Sequence, residues 1–195
     1  MPFVLSSFPS PLPREFYARA TLSVARELLG MRLVRILEGV RLSGTIIETE
    51  AYIGETDLGC HAKAGQTRRN AAMFGPPGHA YVYFTYGMHW MLNAVTEQAG
   101  FPAAVLLRAM QPLEGQDVIA LRRQGRDCLG PAKLTQALGI NGTCNAADLC
   151  ETRSGLWIES GLPLAESSIL TGPRVGLDTV PEPWKSIAWR FRVKT

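Results

Sequence analysis

The amino-acid sequence predicts one mixed α/β (α+β) domain, built on a curved, largely antiparallel β-sheet with flanking helices and a protruding β-hairpin. Three observations lead there. Helical spacing of apolar residues occurs only in short stretches, two pairs of strand-like runs are joined by tight turns, and the last segment alternates apolar with polar residues. A length of 195 residues fits a single domain over 1–195.

Residues 1–14 carry prolines at 2, 9, 11 and 13 and read as an extended N-terminal arm. Thr21 can cap a short helix with Leu22, Ala25, Leu28 and Leu29 on one face and Gly30 at its end. Two strand-like runs follow, MRLVRIL and VRLSGTIIETEAY, joined across Glu38-Gly39. From Gly54 to His79 the chain is long, polar and glycine-rich, and a connection of that length in a compact domain is usually functional or disordered. Residues 80–96 read as a strand, a tight turn at Tyr86-Gly87 and a returning strand; AAVLLRA (103–109) is another buried strand. A helix around 115–124 exposes Arg122 and Arg123, and Pro131 starts a second helix that Gly139 closes. At the end, Ile187, Trp189, Phe191 and Val193 alternate with Ala188, Arg190, Arg192 and Lys194, as in a half-buried strand.

Composition narrows the classes. With 46% hydrophobic and 19% charged residues the chain is neither disordered nor a coiled coil. The opening residues lack a secretory pattern, and no apolar run is long enough to span a bilayer. Cys60, Cys128, Cys144 and Cys150 form no Cys-x-x-Cys pair, so free thiols are expected and no metal site. The net charge of +3 arises in residues 61–135, and 16 of the 20 basic residues are Arg, which suits phosphate. Nucleic acid is a plausible partner on that ground, although a GC-rich genome yields the same bias.

Glu48 and Glu50 lie two apart in an apolar strand and share a face. A general base and a structural ion pair are both open readings. Tyr81 and Tyr83 share a face by the same rule, and Tyr52 and His61 join them in an aromatic series. Tyr86, beside Gly87 at a turn, is either a ring to wedge into a base stack or the cover of a neighbouring loop. His79 and His89 read as ordinary hydrogen-bonded residues. Dinucleotide, P-loop, serine-nucleophile and zinc-deaminase patterns are absent.

The run IIETEAYIGETD, then CHAKAGQTRRNAAMFGPPGHAYVYFTYGMHWMLN, VLLRAMQPLEG, LGPAKLTQALGI, PRVGLD and the terminal WRF resemble the alkyladenine (3-methyladenine) DNA glycosylase family over roughly residues 15–195. The resemblance implies a bacterial enzyme that flips alkylated or deaminated purines from double-stranded DNA and hydrolyses the N-glycosidic bond. It implies Glu50 as catalytic carboxylate and Arg108 beside it. Tyr52, His61, Tyr83 and Asn93 would form the base pocket, Tyr86 the wedge, and Arg68, Arg69 and Lys133 the contacts to the DNA backbone. The main chain near Arg174 and Val175 would help hold the attacking water. With no lysine in the pocket motifs, no lyase step is expected, and no cofactor, metal or membrane. A cytoplasmic, nucleoid-associated monomer is expected. The rival reading is a non-catalytic nucleic-acid-binding module. Family members often read RGRTPRN where this chain has AGQTRRN (64–70), and Gln111 replaces a usual acidic residue. These departures bear on the loop's shape and on substrate range, not on the implied catalytic set.

Overall fold

A computed structural model describes residues 10–194. Its first hairpin joins β1 (Arg32–Leu37) to β2 (Val40–Ile53). Glu38 and Gly39 both have positive φ, 51° and 80°, the conformation that matches a two-residue turn to strand twist. Strand β2 is the spine. One edge pairs with β5 (Ala103–Glu114) along most of its length. The other edge pairs first with β1 and then, at Glu48–Glu50, with β8 (Arg190–Val193). The order is β3-β4-β5-β2-β1-β6, with β7 (Ile169–Gly172) on β8, and every pairing is antiparallel. Here β3 is Ala80–Thr85, β4 is His89–Val95 and β6 is Leu156–Glu159.

Strand alternation divides the sheet into two faces. Thr49 Oγ1 donates to Ala25 O at 2.7 Å, and Ala51, Val82, Leu92, Val105 and Leu107 point into the main core. That core packs against helices α2 (Thr21–Glu27) and α4 (Pro131–Ala137). The opposite face carries a smaller cluster of Cys60, Ala62, Met73, Tyr81, Val95 and Ala104, with Tyr52 and Tyr83 packed on it. Each fully buried large apolar side chain contributes about 1.5–3 kcal/mol, so the larger cluster dominates stability.

Three register shifts interrupt the β2–β5 ladder, one at Ser43/Gly44 and two beside Glu48 that re-aim the strands. Ile46 faces Met110 and Glu48 faces Ala109, leaving Ile47 without an opposite residue; Thr49 faces Leu107, leaving Arg108 without one. Arg108 is therefore the extra residue of a β-bulge, a device that redirects a side chain.

Several boundaries differ from the sequence reading. Of the proline arm, residues 1–9 lie outside the described residues, and the chain is already helical at α1 (Arg14–Tyr17). Arg14 anchors it through Pro77 O at 2.7 Å and Asp148 at 2.5 Å. Thr21 is the first helical residue, not the cap; its hydroxyl donates to Glu97 at 2.8 Å. Strand β5 runs to Glu114 because its polar end pairs with Ser43–Ile46 of β2. The terminal strand begins only at Arg190, while β6 and β7 are strands the sequence reading does not contain. The two later helices fall at the expected positions, α3 at Gln116–Arg123 and α4 from Pro131, but α3 exposes Arg122 and not Arg123, which is buried with its Nε donating to Asp127 O at 2.9 Å. The four cysteines are free thiols. Among the described residues no helix is long and apolar enough to cross a membrane.

Candidate active site

The long loop after β2 folds over the smaller cluster through two short 3₁₀ turns, His61–Ala64 and Ala71–Phe74. Buried Asn70 ties them together. Its Oδ1 accepts from Thr67 N at 2.6 Å, and its Nδ2 donates to His61 O and Gly65 O, each at 3.0 Å. Satisfying these backbone groups inside one side chain fixes a loop with little regular structure of its own. Between loop and sheet lies a cavity of about 280 Å³, lined by Tyr52, His61, Tyr81, Tyr83, Asn93 and Arg108 among others.

The cavity is walled by rings. His61 meets Tyr83 edge-on at 4.4 Å between centroids, and Tyr81 lies 5.2 Å from Tyr83. His61 Nδ1 and the Tyr81 hydroxyl are 3.0 Å apart. Desolvation of the ring in the cavity wall holds the His61 pKa below its ordinary value, with the charges of Arg69 and Lys63 adding to the effect. Burial pushes the Tyr83 phenol up to about 12. Asn93, nearly fully buried, donates from Nδ2 to Tyr81 O at 3.0 Å.

Glu50 is completely buried directly behind this wall. One carboxylate oxygen accepts from Val175 N at 2.7 Å; the other accepts from the Tyr52 hydroxyl at 2.8 Å and from Arg108 Nη1 at 3.3 Å. All three donors belong to residues that line the cavity. Arg108 Nε donates to Glu48 at 3.0 Å, and Glu48 accepts from Arg190 Nε at 2.6 Å. Glu48 and Glu50 thus reach one guanidinium, as their shared face requires. Burial raises the Glu50 pKa, while Arg108, Val175 N–H and Tyr52 oppose the rise.

Tyr86 is 80% exposed at the hairpin tip, with φ of 51°, and Gly87 follows at 66°. Met88 N donates to Thr85 O at 3.2 Å and closes the turn. The ring stands largely in solvent at the edge of the cavity, whose lining it joins. Arg69 braces this hairpin, donating to Phe84 O at 2.9 Å with its Cζ 5.8 Å from the Tyr83 ring centre. Arg68 is exposed, with no hydrogen bond or ion pair of its side chain among the described residues. Lys133 stands apart from the cavity, paired with Asp127 at 2.8 Å. It lines a separate groove of about 770 Å³ with Trp90, Arg122, Arg123 and Arg126.

A family model described as methylpurine-DNA glycosylase matches residues 15–195. The chain belongs to the methylpurine-DNA glycosylase family. Membership makes it a DNA glycosylase, a hydrolase of the N-glycosidic bond. A protein of Methanocella arvoryzae is 49% identical over 183 residues, which are 89% of this chain and 90% of the relative. One of Carboxydothermus hydrogenoformans is 49% identical over 187 residues, 94% of this chain and 95% of the relative. A third, of Chlorobaculum parvum, is 48% identical over 180 residues, covering 89% and 85%. All three carry the provisional name 3-methyladenine DNA glycosylase.

In this methylpurine-DNA glycosylase family member the unusual residues Ala64, Gln66 and Arg68 are all exposed on the covering loop, and Gln111 is exposed on β5. None lines the cavity. The sequence reading passed over a buried pair that sits behind it. Arg174 and Asp57 meet at 2.5 and 2.8 Å, and the guanidinium also donates to Ala51 O at 3.0 Å. A lone Asp in a polar loop carries no signal of such a partner 117 residues away.

Proposed function

We propose that the protein excises alkylated or deaminated purines from double-stranded DNA, drawing the base out of the helix into the ring-walled cavity. The observation that carries this reading is Glu50: a buried carboxylate bound by three groups that line one cavity. A base inside a duplex is unreachable, so it must leave the stack at a cost of a few kcal/mol. Tyr86 fills the vacated space, and Arg68 and Lys133 meet phosphates on either side. Arg69, already bonded to the hairpin, acts there chiefly by keeping Tyr86 raised.

A purine alkylated at a ring nitrogen is positively charged, stacks on electron-rich rings and leaves the sugar readily. Tyr52, Tyr83 and His61 take such a base between them, and Asn93 tests its edge. Bond cleavage leaves positive character on the sugar, which Glu50 stabilises while accepting a proton from the attacking water. Arg108 and Val175 N–H hold the carboxylate in place for that step. No lysine lines the cavity, which supports hydrolysis without a lyase step. The protein acts as a monomer on cytoplasmic DNA.

The test is a single-turnover assay on duplexes containing 7-methylguanine, hypoxanthine or ethenoadenine. The expected result is free base plus an intact abasic strand. Tight lesion binding with no base released from any duplex would leave a binding module instead. Tyr86→Ser lowers affinity for a lesion duplex at least about tenfold, since the wedge substitutes for lost stacking. At 80% exposure the ring contributes little to the fold, so the melting temperature stays within about 2 °C. Unchanged lesion affinity would exclude the wedge.

A further inference from the structure

Behind Tyr52 stands a positive charge that the mechanism above does not use. The Arg174 Cζ lies 4.7 Å from the centre of the Tyr52 ring and 5.1 Å from that of Trp189. The Arg174 side chain is fully buried and forms no part of the cavity wall, whereas Tyr52 does. The guanidinium therefore covers the face of Tyr52 that is turned from the cavity. Asp57 holds it there in a two-pronged pair, and Nε has no hydrogen-bond partner among the described residues.

A tyrosine face attracts cations through its π-electrons. A cation seated on one face draws on that density, and its field reaches across the ring. A second cation on the opposite face then sits roughly 8 Å away through a water-poor interior, where repulsion is weakly screened. A neutral base stacked in the same place suffers no such repulsion. Asp57 offsets part of the field but bonds the Nη atoms, leaving the ring to face Cζ.

We infer that Arg174 is a specificity-determining residue: from behind Tyr52 it weakens the cavity's hold on positively charged alkylated purines and so favours neutral purine lesions. The inference rests on the reading of this cavity as a base pocket. Arg174 touches no reacting atom and acts through the ring.

The experiment compares the parent protein with the double variant Asp57→Leu/Arg174→Met, which removes both charges together. A second pair, Asp57→Asn/Arg174→Gln, keeps polar side chains and gives the same reading where the apolar pair does not fold. Calorimetry measures binding of a cationic probe, 3,9-dimethyladeninium, and a neutral one, 9-methylhypoxanthine. The expected result is a rise of about tenfold in the cation-to-neutral affinity ratio in the double variant. Arg174→Lys, which keeps the charge, holds the ratio within about twofold of the parent. A purely structural role lowers both affinities together and leaves the ratio unmoved, and that result overturns the inference. So does failure of the parent to bind either probe. Excision assays on duplexes run alongside. A parent that binds both probes but releases no base overturns the glycosylase reading, while the affinity ratio still decides the role of Arg174.

Discussion

Glu50→Gln lowers single-turnover base release by about a thousandfold or more while lesion-duplex affinity stays within about threefold. The amide has nearly the shape of the carboxylate and can still accept from Val175 N–H. It can neither take a proton from water nor balance positive charge on the sugar. The pH profile adds a second mark. Burial raises the Glu50 pKa, so the parent loses activity on acidification from a point above the ordinary carboxylate range, and the variant shows no such limb. The sign for stability is the reverse of a salt-bridged carboxylate. A raised pKa means the folded protein binds the proton more readily than the unfolded chain, so the contribution is full below the unfolded pKa and is lost as pH rises through the folded one. The variant's melting temperature at neutral pH therefore equals or exceeds that of the parent, and the gap closes as pH falls. Base release unchanged by the substitution would remove Glu50 from the mechanism.

Asp57→Ala lowers stability by about 3–5 kcal/mol, because it leaves the Arg174 guanidinium buried with only carbonyl partners. For a chain of this length that is a fall of about 10 °C in melting temperature. The contrast is Glu27→Ala, which breaks a pair with Arg19 whose side chains are 49% and 40% exposed. Solvent screens that pair, and the expected change is under about 1 kcal/mol. Thermal unfolding of the two variants side by side is the measurement. Equal small shifts would mean that the buried pair is not what fixes the loop to β2.

The same contrast explains what could be seen in the sequence. Local chemistry was legible. Glu38-Gly39 and Tyr86-Gly87 mark turns because few residue pairs accept positive φ, and the alternation of Tyr81 and Tyr83 places both on the cavity side of β3. The spacing of Glu48 and Glu50 put both on one face, and both meet Arg108. Spacing left their role open, and the further roles came from resemblance. Elements held only by distant partners were not legible. Strand β6 has four residues and pairs with β1, more than a hundred residues earlier. Thr21 looked like a cap, but Glu97 takes its hydroxyl. Nothing in VLLRAM shows that Arg108 stands outside the ladder, because a bulge depends on the opposite strand.

The bulges at Ile47 and Arg108 have a consequence for insertions and deletions. They lie on facing strands and offset one another: the partner numbers sum to 156 at Ile46 and Met110, to 157 at Glu48 and Ala109, and to 156 again at Thr49 and Leu107. Each bulge also reverses which parity of residue faces the main core, since Ile46 and Thr49 point there on β2 and Leu107 and Met110 on β5. Deleting one residue from either strand would slip the frame and turn apolar side chains out of the core. Deleting Ile47 and Arg108 together would leave an even ladder from Gly44 onward and spare the core. The sheet would then be intact and the guanidinium gone. The fold tolerates paired length changes at this point, while the carboxylate site tolerates none.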